Sequence, residues 1–355
     1  MPLVQTGSPR LRRRSLIALL AAAPGGADGA ETDAARAAWA AFQARFVAPE
    51  GRVVDTGNGG VSHSEGQGWG MLLAVRAEDR RAFERLLAWT RRHLRRPGDN
   101  LHAWRYRPGG VPPVEDPNNA TDGDLCIAWA LLEAAHRWGR EEHAALGAGI
   151  GRDLLRLVVR RVGPTCLLLP GVQGFERPEH VVVNLSYYVF PAFGALARAV
   201  PDPAWARLAA DGLMLLRLAR FGPWDLPPDW LQVARRDGAL APAVGWPPRF
   251  SYDAVRVPLW LAWAGLREEP ALRQAHRFWS ATRQHPPAWV DLQTNAVAHY
   301  PAPPGIMALA RLAAAAPPGT GPFPESRPSP EAPDYYSAVL TLLAQCAAQD
   351  AKIFR

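Results

Sequence analysis

The chain has 355 residues, of which 48% are hydrophobic and 21% charged, and it carries a formal net charge of +7 at neutral pH. That balance excludes a disordered chain and gives length for one large domain or two small ones. The positive charge does not make a nucleic-acid partner: lysine occurs once, at Lys352, while Ala, Arg and Pro abound, which marks a coding bias rather than a basic face.

The first thirty residues read as a signal peptide. Arg10, Arg12, Arg13 and Arg14 precede an apolar run from Ser15 to Ala23, the basic and apolar regions of a secretory leader, and the run is too short to cross a bilayer. Cleavage is expected between Ala23 and Ala30, leaving residues 31–355 as one domain that is periplasmic or secreted. The arginine pair keeps twin-arginine export open. Losing those four arginines and Asp28 lowers the formal charge to +4. No later stretch is long and apolar enough for a membrane helix, so no membrane insertion is expected after leader removal.

Beyond the leader, apolar spacing predicts helices over 32–47, 65–77, 79–95, 122–138, 140–162, 185–199, 202–220, 253–266, 269–284, 303–316 and 335–349, with few strands. The joints at 78, 139, 200–201 and 267–268 are short and make antiparallel helix hairpins. The connectors 48–64, 96–121, 163–184, 221–252 and 285–302 are long and rich in Gly, Pro and Trp. If the hairpins pack side by side, every helix after a long connector points the same way, and its N-terminus opens on the end that carries the long loops. That end is the expected binding face.

Carboxylates mark three of those helix starts. In Ser62-His-Ser-Glu65-Gly-Gln-Gly-Trp-Gly-Met71, Ser62 or Ser64 is placed to cap a helix and Glu65 falls in or just before its first turn. Gly66, Gly68 and Gly70 each cost a helix roughly 1 kcal/mol, so something besides helix stability selects them, and a bare backbone admits a bulky ligand. Asp122 and Asp124 open the next such helix, and Asp253, in Phe250-Ser-Tyr252-Asp253-Ala-Val-Arg256, a third. Each alone is an ordinary N-cap; three at one end are harder to dismiss.

Tryptophans 39, 89, 129, 138, 205, 260, 263 and 279 lie within helices and are assigned to the core. Trp104, Tyr106, Trp224, Trp230, Trp246, Tyr252, Trp289 and Tyr300 lie in the long loops. Aromatic rings beside carboxylates suit a sugar chain, whose apolar C–H faces stack on rings while its hydroxyls bond to polar edges. About half of these rings are expected to touch ligand and the rest to anchor loops. Cys126, Cys166 and Cys346 have no metal-ligand spacing and allow at most one disulfide. No metal and no other cofactor is expected.

With the Glu65, Asp122/Asp124 and Tyr252-Asp253 motifs in this order, supported by Asn184-Leu-Ser-Tyr187-Tyr188, Leu226-Pro-Pro-Asp-Trp230 and Asp334-Tyr-Tyr336, the chain resembles glycoside hydrolase family 8. It is most similar to the family's endoglucanases of bacterial cellulose synthesis. The resemblance runs from about residue 32 to 350. It implies an all-α fold, an (α/α)6 barrel of antiparallel hairpins with a groove at one end, and internal hydrolysis of a β-1,4-glucan chain with inversion. It also implies roles: Glu65 as general acid, Asp253 as general base, Asp124 at the cleavage point, and Trp104, Tyr187, Tyr252 and Arg256 around it. A helix N-terminus favours an ionised carboxylate, so Glu65 needs apolar cover, with Trp69 a candidate beside the loop aromatics, or the negative field of Asp124. The cellulose synthase complex is the partner the resemblance suggests. Family members acting on chitosan, mixed-linkage glucan or xylan, and a silent glucan-binding scaffold, are the alternatives. Only eleven helices are read, and the alternation fails at the Pro-rich segment 317–334.

Overall fold

The computed structural model describes residues 29–281, 286–316 and 334–353, with side chains from residue 33. The leader through residue 28 lies outside the described residues, as do 282–285, 317–333 and 354–355. Eleven α-helices occur among the described residues: α1 Gly29–Phe46, α2 Ser64–Arg76, α3 Arg80–His93, α4 Thr121–Trp138, α5 Glu141–Leu157, α6 Phe190–Ala199, α7 Pro203–Leu218, α8 Val257–Trp263, α9 Pro270–Trp279, α10 Pro304–Ala315 and α11 Tyr335–Asp350.

Burial sorts them into two rings. Helices α2, α4, α6, α8, α10 and α11 are covered on nearly every side, whereas α1, α3, α5, α7 and α9 keep a polar outer face. Helix α3 has the outer pattern: Phe83, Leu86, Leu87 and Thr90 recur at helical spacing against the inner ring, while Arg80, Arg81, Arg91 and Arg92 face solvent. Asp79 caps it, accepting the Ala82 N–H at 2.9 Å. The αL residue Gly139 (φ 64°) ends α4 and makes the tight return into α5. Asp202 caps α7 ahead of Pro203, the pairing that starts a helix without an orphaned N–H.

Inner and outer helices alternate along the chain as the hairpin reading requires, and the architecture is an (α/α)6 barrel. The alternation breaks once, between α10 and α11. Both are inner, and residues 317–333 between them lie outside the described residues. Of the tryptophans assigned to the core, 39, 89, 129, 205, 260, 263 and 279 are buried, and Trp138 packs against the core.

The connectors hold more structure than their composition announces. Nine short strands form four antiparallel sheets: β1 Ser62–His63 with β2 Arg105–Tyr106, β3 Val159–Val162 with β4 Thr165–Leu168, β5 His180–Val183 with β6 Leu231–Ala234 and β7 Leu240–Pro242, and β8 Arg249–Phe250 with β9 Val290–Asp291. Helix α5 therefore ends five residues before the expected 162. Val158, Val159 and Val162 are β-branched, and Gly163 (φ 55°) turns the chain back as a hairpin. The segments expected as helices from 185 and 253 begin instead with 3-10 turns, Leu185–Tyr187 and Ala254–Arg256. Cys126, Cys166 and Cys346 are buried and free, so the single disulfide that the count allowed is not made.

Candidate active site

Strand β1 delivers the chain into α2, and the Ser64 N–H donates to the Trp104 carbonyl at 3.0 Å. Neither serine caps α2. The N-cap position is His63, Ser62 Oγ donates to the Val53 carbonyl, and Ser64 Oγ is buried without a partner among the described residues. Gln67 is the motif's anchor. Its Oε1 accepts the Val53 N–H at 2.6 Å, and its amide donates to Thr90 Oγ1 at 2.8 Å, tying α2 to the preceding loop and to α3.

The motif's glycines serve packing rather than ligand approach. A Cβ on Gly68 would lie 2.9 Å from the Ile127 backbone nitrogen, and one on Gly66 would meet the Tyr335 hydroxyl at 2.6 Å. On the facing helix, a Cβ on Gly123 would run into Ser64 Oγ and lie 2.7 Å from the Glu65 backbone nitrogen. With no side chains in that seam, α2 and α4 touch at their N-termini, which brings Asp122 against Glu65.

Arg256 organises what meets there. Its Nη1 lies 2.9 Å from Glu65 Oε1, while Nη2 lies 3.0 Å from Asp253 Oδ1, 3.3 Å from Asp122 Oδ2 and 3.1 Å from Ser186 Oγ. The guanidinium thus stands between Glu65 and Asp253, holding them on separate nitrogens. Arg256 and Asp122 are buried, whereas the side chains of Glu65 and Asp253 are 19% and 26% exposed. Only the latter two reach the groove.

Burial pushes Glu65 well above the ordinary carboxylate range; Arg256 opposes the rise, and the negative charges of Asp122 and Asp253 support it. Asp122 is raised to about 6, again chiefly by burial. Asp122 raises Glu65 while Glu65 lowers Asp122, so between the two carboxyls the proton is biased toward Glu65. The helix-terminus conflict is resolved by burial and by Asp122 and Asp253, not by Asp124.

Asp124 is the misplaced residue of the sequence reading. It is 0% exposed, and its Oδ1 accepts the His102 N–H at 2.9 Å and pairs with His102 Nδ1, while Asn119 donates to Oδ2 at 3.0 Å. Its carboxylate staples the 101–119 loop to α4 and does not join the cluster. Trp69 is also buried, with its ring 5.7 Å beneath the Arg256 guanidinium, and supports the site from below without facing the groove.

The remaining expected residues surround the cluster. Tyr187 lies 5.9 Å from Arg256 and edge-on to Trp230, and Trp230 stacks with Phe175 and Trp246 at 5.7 and 5.1 Å. Tyr252, 39% exposed, bonds through its hydroxyl to Tyr300, 48% exposed, at 3.0 Å, and Trp289 donates to the same Tyr300 oxygen. Tyr336 donates to the Tyr252 carbonyl. Trp104 is half-buried, parallel to His63 at 6.0 Å and under the Arg105 guanidinium at 4.4 Å. Tyr106 packs on Trp89 and His93, and Trp224 on Phe278, as loop anchors.

An acidic pair held by one arginine, at the end of a helical barrel where exposed rings gather, is an arrangement that suits a glycoside hydrolase. The chain belongs to glycosyl hydrolases family 8, whose model matches residues 14–350, and that family hydrolyses with inversion. A probable endoglucanase of Novacetimonas hansenii is 46% identical over 316 residues, covering 89% of this chain and 91% of the relative. An endoglucanase of Cellulomonas uda is 42% identical, covering 78% and 77%. Among solved structures, the endo-beta-1,4-glucanase of Acetobacter xylinum superposes with a TM-score of 0.84 at 45% identity, covering 90% of this chain and 99% of that one.

Proposed function

We propose that the chain is an endo-β-1,4-glucanase that cuts cellulose internally with inversion, Glu65 giving a proton to the leaving oxygen while Asp253 takes one from the attacking water. The observation that carries this reading is the division of labour around Arg256. Glu65 is kept protonated by burial and by the charges of Asp122 and Asp253, and Asp253 stands apart from it on the other guanidinium nitrogen. Asp122, rather than Asp124, assists at the cleavage point. Tyr252, Tyr300 and Trp289 on one side, and Tyr187, Trp230 and Trp246 on the other, offer ring faces and hydroxyl edges to the glucan. Arg256 and Trp69 hold the acids in place, and Trp104 with His63 supports the entry to α2.

On this reading residues 31–355 are the single catalytic domain, exported by the leader over 1–30 to act in the periplasm or outside the cell. The link to cellulose synthesis, and to the synthase complex as a partner, rests on the family resemblance.

The test measures viscosity and reducing ends together on carboxymethylcellulose, xylan, mixed-linkage glucan and chitosan. Rapid viscosity loss at low reducing-end yield is expected on carboxymethylcellulose, and a folded Glu65→Gln variant should lose at least about a hundredfold in rate. Faster cutting of another glycan would move the substrate, and a Gln variant holding a tenth of the wild-type rate would remove Glu65 as the acid.

A further inference from the structure

We propose that Asp229 is a positioning residue for the general base, reaching from another loop to fix the backbone on both sides of Asp253. This rests on the base role proposed for Asp253.

Asp253 occupies the N-cap position of the Ala254–Arg256 turn, where an aspartate normally spends its carboxylate on a free backbone N–H. It makes no such bond. The Val255 and Arg256 N–H groups bond to the backbone carbonyls of Ser251 and Asp253, each at 3.0 Å, so the turn's remaining free N–H is that of Ala254. Asp229, in Leu226-Pro-Pro-Asp-Trp230, takes it at 2.8 Å through Oδ1, which also accepts the Ser251 N–H at 2.9 Å. Its Oδ2 pairs with the Ser251 hydroxyl, and its own N–H donates to the Arg249 carbonyl at 2.7 Å. One buried carboxylate thus fixes the chain on both sides of Asp253. The base carboxylate is then left for the guanidinium of Arg256 and for the groove.

The arrangement is costly, which argues for a use. Burial and the neighbouring charge of Asp253 push Asp229 up to about 7. An ordinary loop staple needs no second carboxylate beside a base. If Asp229 were removed, the N–H groups of Ser251 and Ala254 would lose their acceptor, the backbone that carries Asp253 would loosen, and the base would leave the water it activates while the walls of the groove stayed in place.

The experiment compares Asp229→Ala, Asp229→Asn and Asp253→Asn on a natural cello-oligosaccharide and on a dinitrophenyl cello-oligosaccharide, whose leaving group departs without a proton. Asp229→Ala should lower kcat by about a hundredfold, with KM within about threefold of wild type. Asp229→Asn keeps an oxygen for both N–H groups and should recover to within about tenfold of wild type. The activated leaving group should leave the Asp229→Ala defect unrelieved, because water still needs its base, while a Glu65→Gln control is largely relieved. An Asp229→Ala enzyme with wild-type kcat, or one relieved by the activated substrate, overturns the inference. Wild-type rates in Asp253→Asn would instead sink the base assignment itself, so the two failures are distinct. Should Asp229→Ala not fold, Asp229→Asn and Ser251→Ala carry the test: each weakens part of the network and should lower kcat by about two- to tenfold at constant KM, and wild-type kcat in both overturns the proposal.

Discussion

Glu65 keeps a proton at a helix end whose dipole favours losing it, and its neighbours decide whether it succeeds. Burial is the largest influence, with the charge and hydrogen bond of Asp122 beside it. Asp122→Asn keeps the shape and removes the charge. With Glu65 as the proposed acid, the alkaline limb of the kcat/KM profile follows its folded pKa, and the substitution should move that limb to lower pH. A limb that stays in place would show that burial and Asp253 hold the proton without Asp122. The contrast with Asp124 marks how far the sequence could be read. Residues two apart on a helix point roughly 200° away from each other, so only one of Asp122 and Asp124 can face Glu65. Helix α4 is buried on most sides, and its apolar pattern therefore names no inward face. That Glu65, Asp253 and Arg256 meet was legible because their motifs open helices at one end; the bonds of Asp229 were not, because they reach a turn more than twenty residues away.

The seam between α2 and α4 turns a packing detail into chemistry. Gly123 lets the two helix starts meet, and an added Cβ would press on the Glu65 backbone nitrogen, which cannot swing aside as a side chain would. Gly123→Ala is expected to cost about 1–3 kcal/mol in chemical denaturation and to lower kcat about a hundredfold as Asp122 parts from Glu65. An alanine variant with wild-type stability and turnover would mean the seam has slack. Helices were the legible elements: eleven were expected and eleven are described, most within a few residues of their bounds. The strands were not, because a two-residue strand such as β1 or β8 is too short to show alternation. The 3-10 turns at 185 and 254 hid in helical spacing for the same reason.

Across the whole barrel, inner helices that follow long connectors start at one end, and Glu65, Asp122 and Asp253 all sit at such starts. The hairpin alternation alone was enough to predict that convergence. On the roles proposed for Glu65 and Asp253, a water activated on the far side of the sugar from the leaving oxygen gives a first product with an α-configured reducing end. Proton NMR in the first minutes of cello-oligosaccharide hydrolysis reads it before mutarotation. A β anomer appearing first would make Asp253 a nucleophile and end the inverting mechanism here.

The inner ring is completed late in the chain. Tyr335 at the start of α11 packs against Phe42 and Phe46 of α1, its backbone N–H donates to Thr56 Oγ1 at 3.2 Å, and Arg76 at the end of α2 donates to Asp350 at 2.7 Å. Those partners are 274 and 279 residues apart for the two hydrogen bonds. A polypeptide emerging from a ribosome has Glu65 early and lacks the wall behind it until α11 arrives. Loop closure over such separations makes assembly slow, and a chain that has not yet added α11 has no closed inner ring behind Glu65.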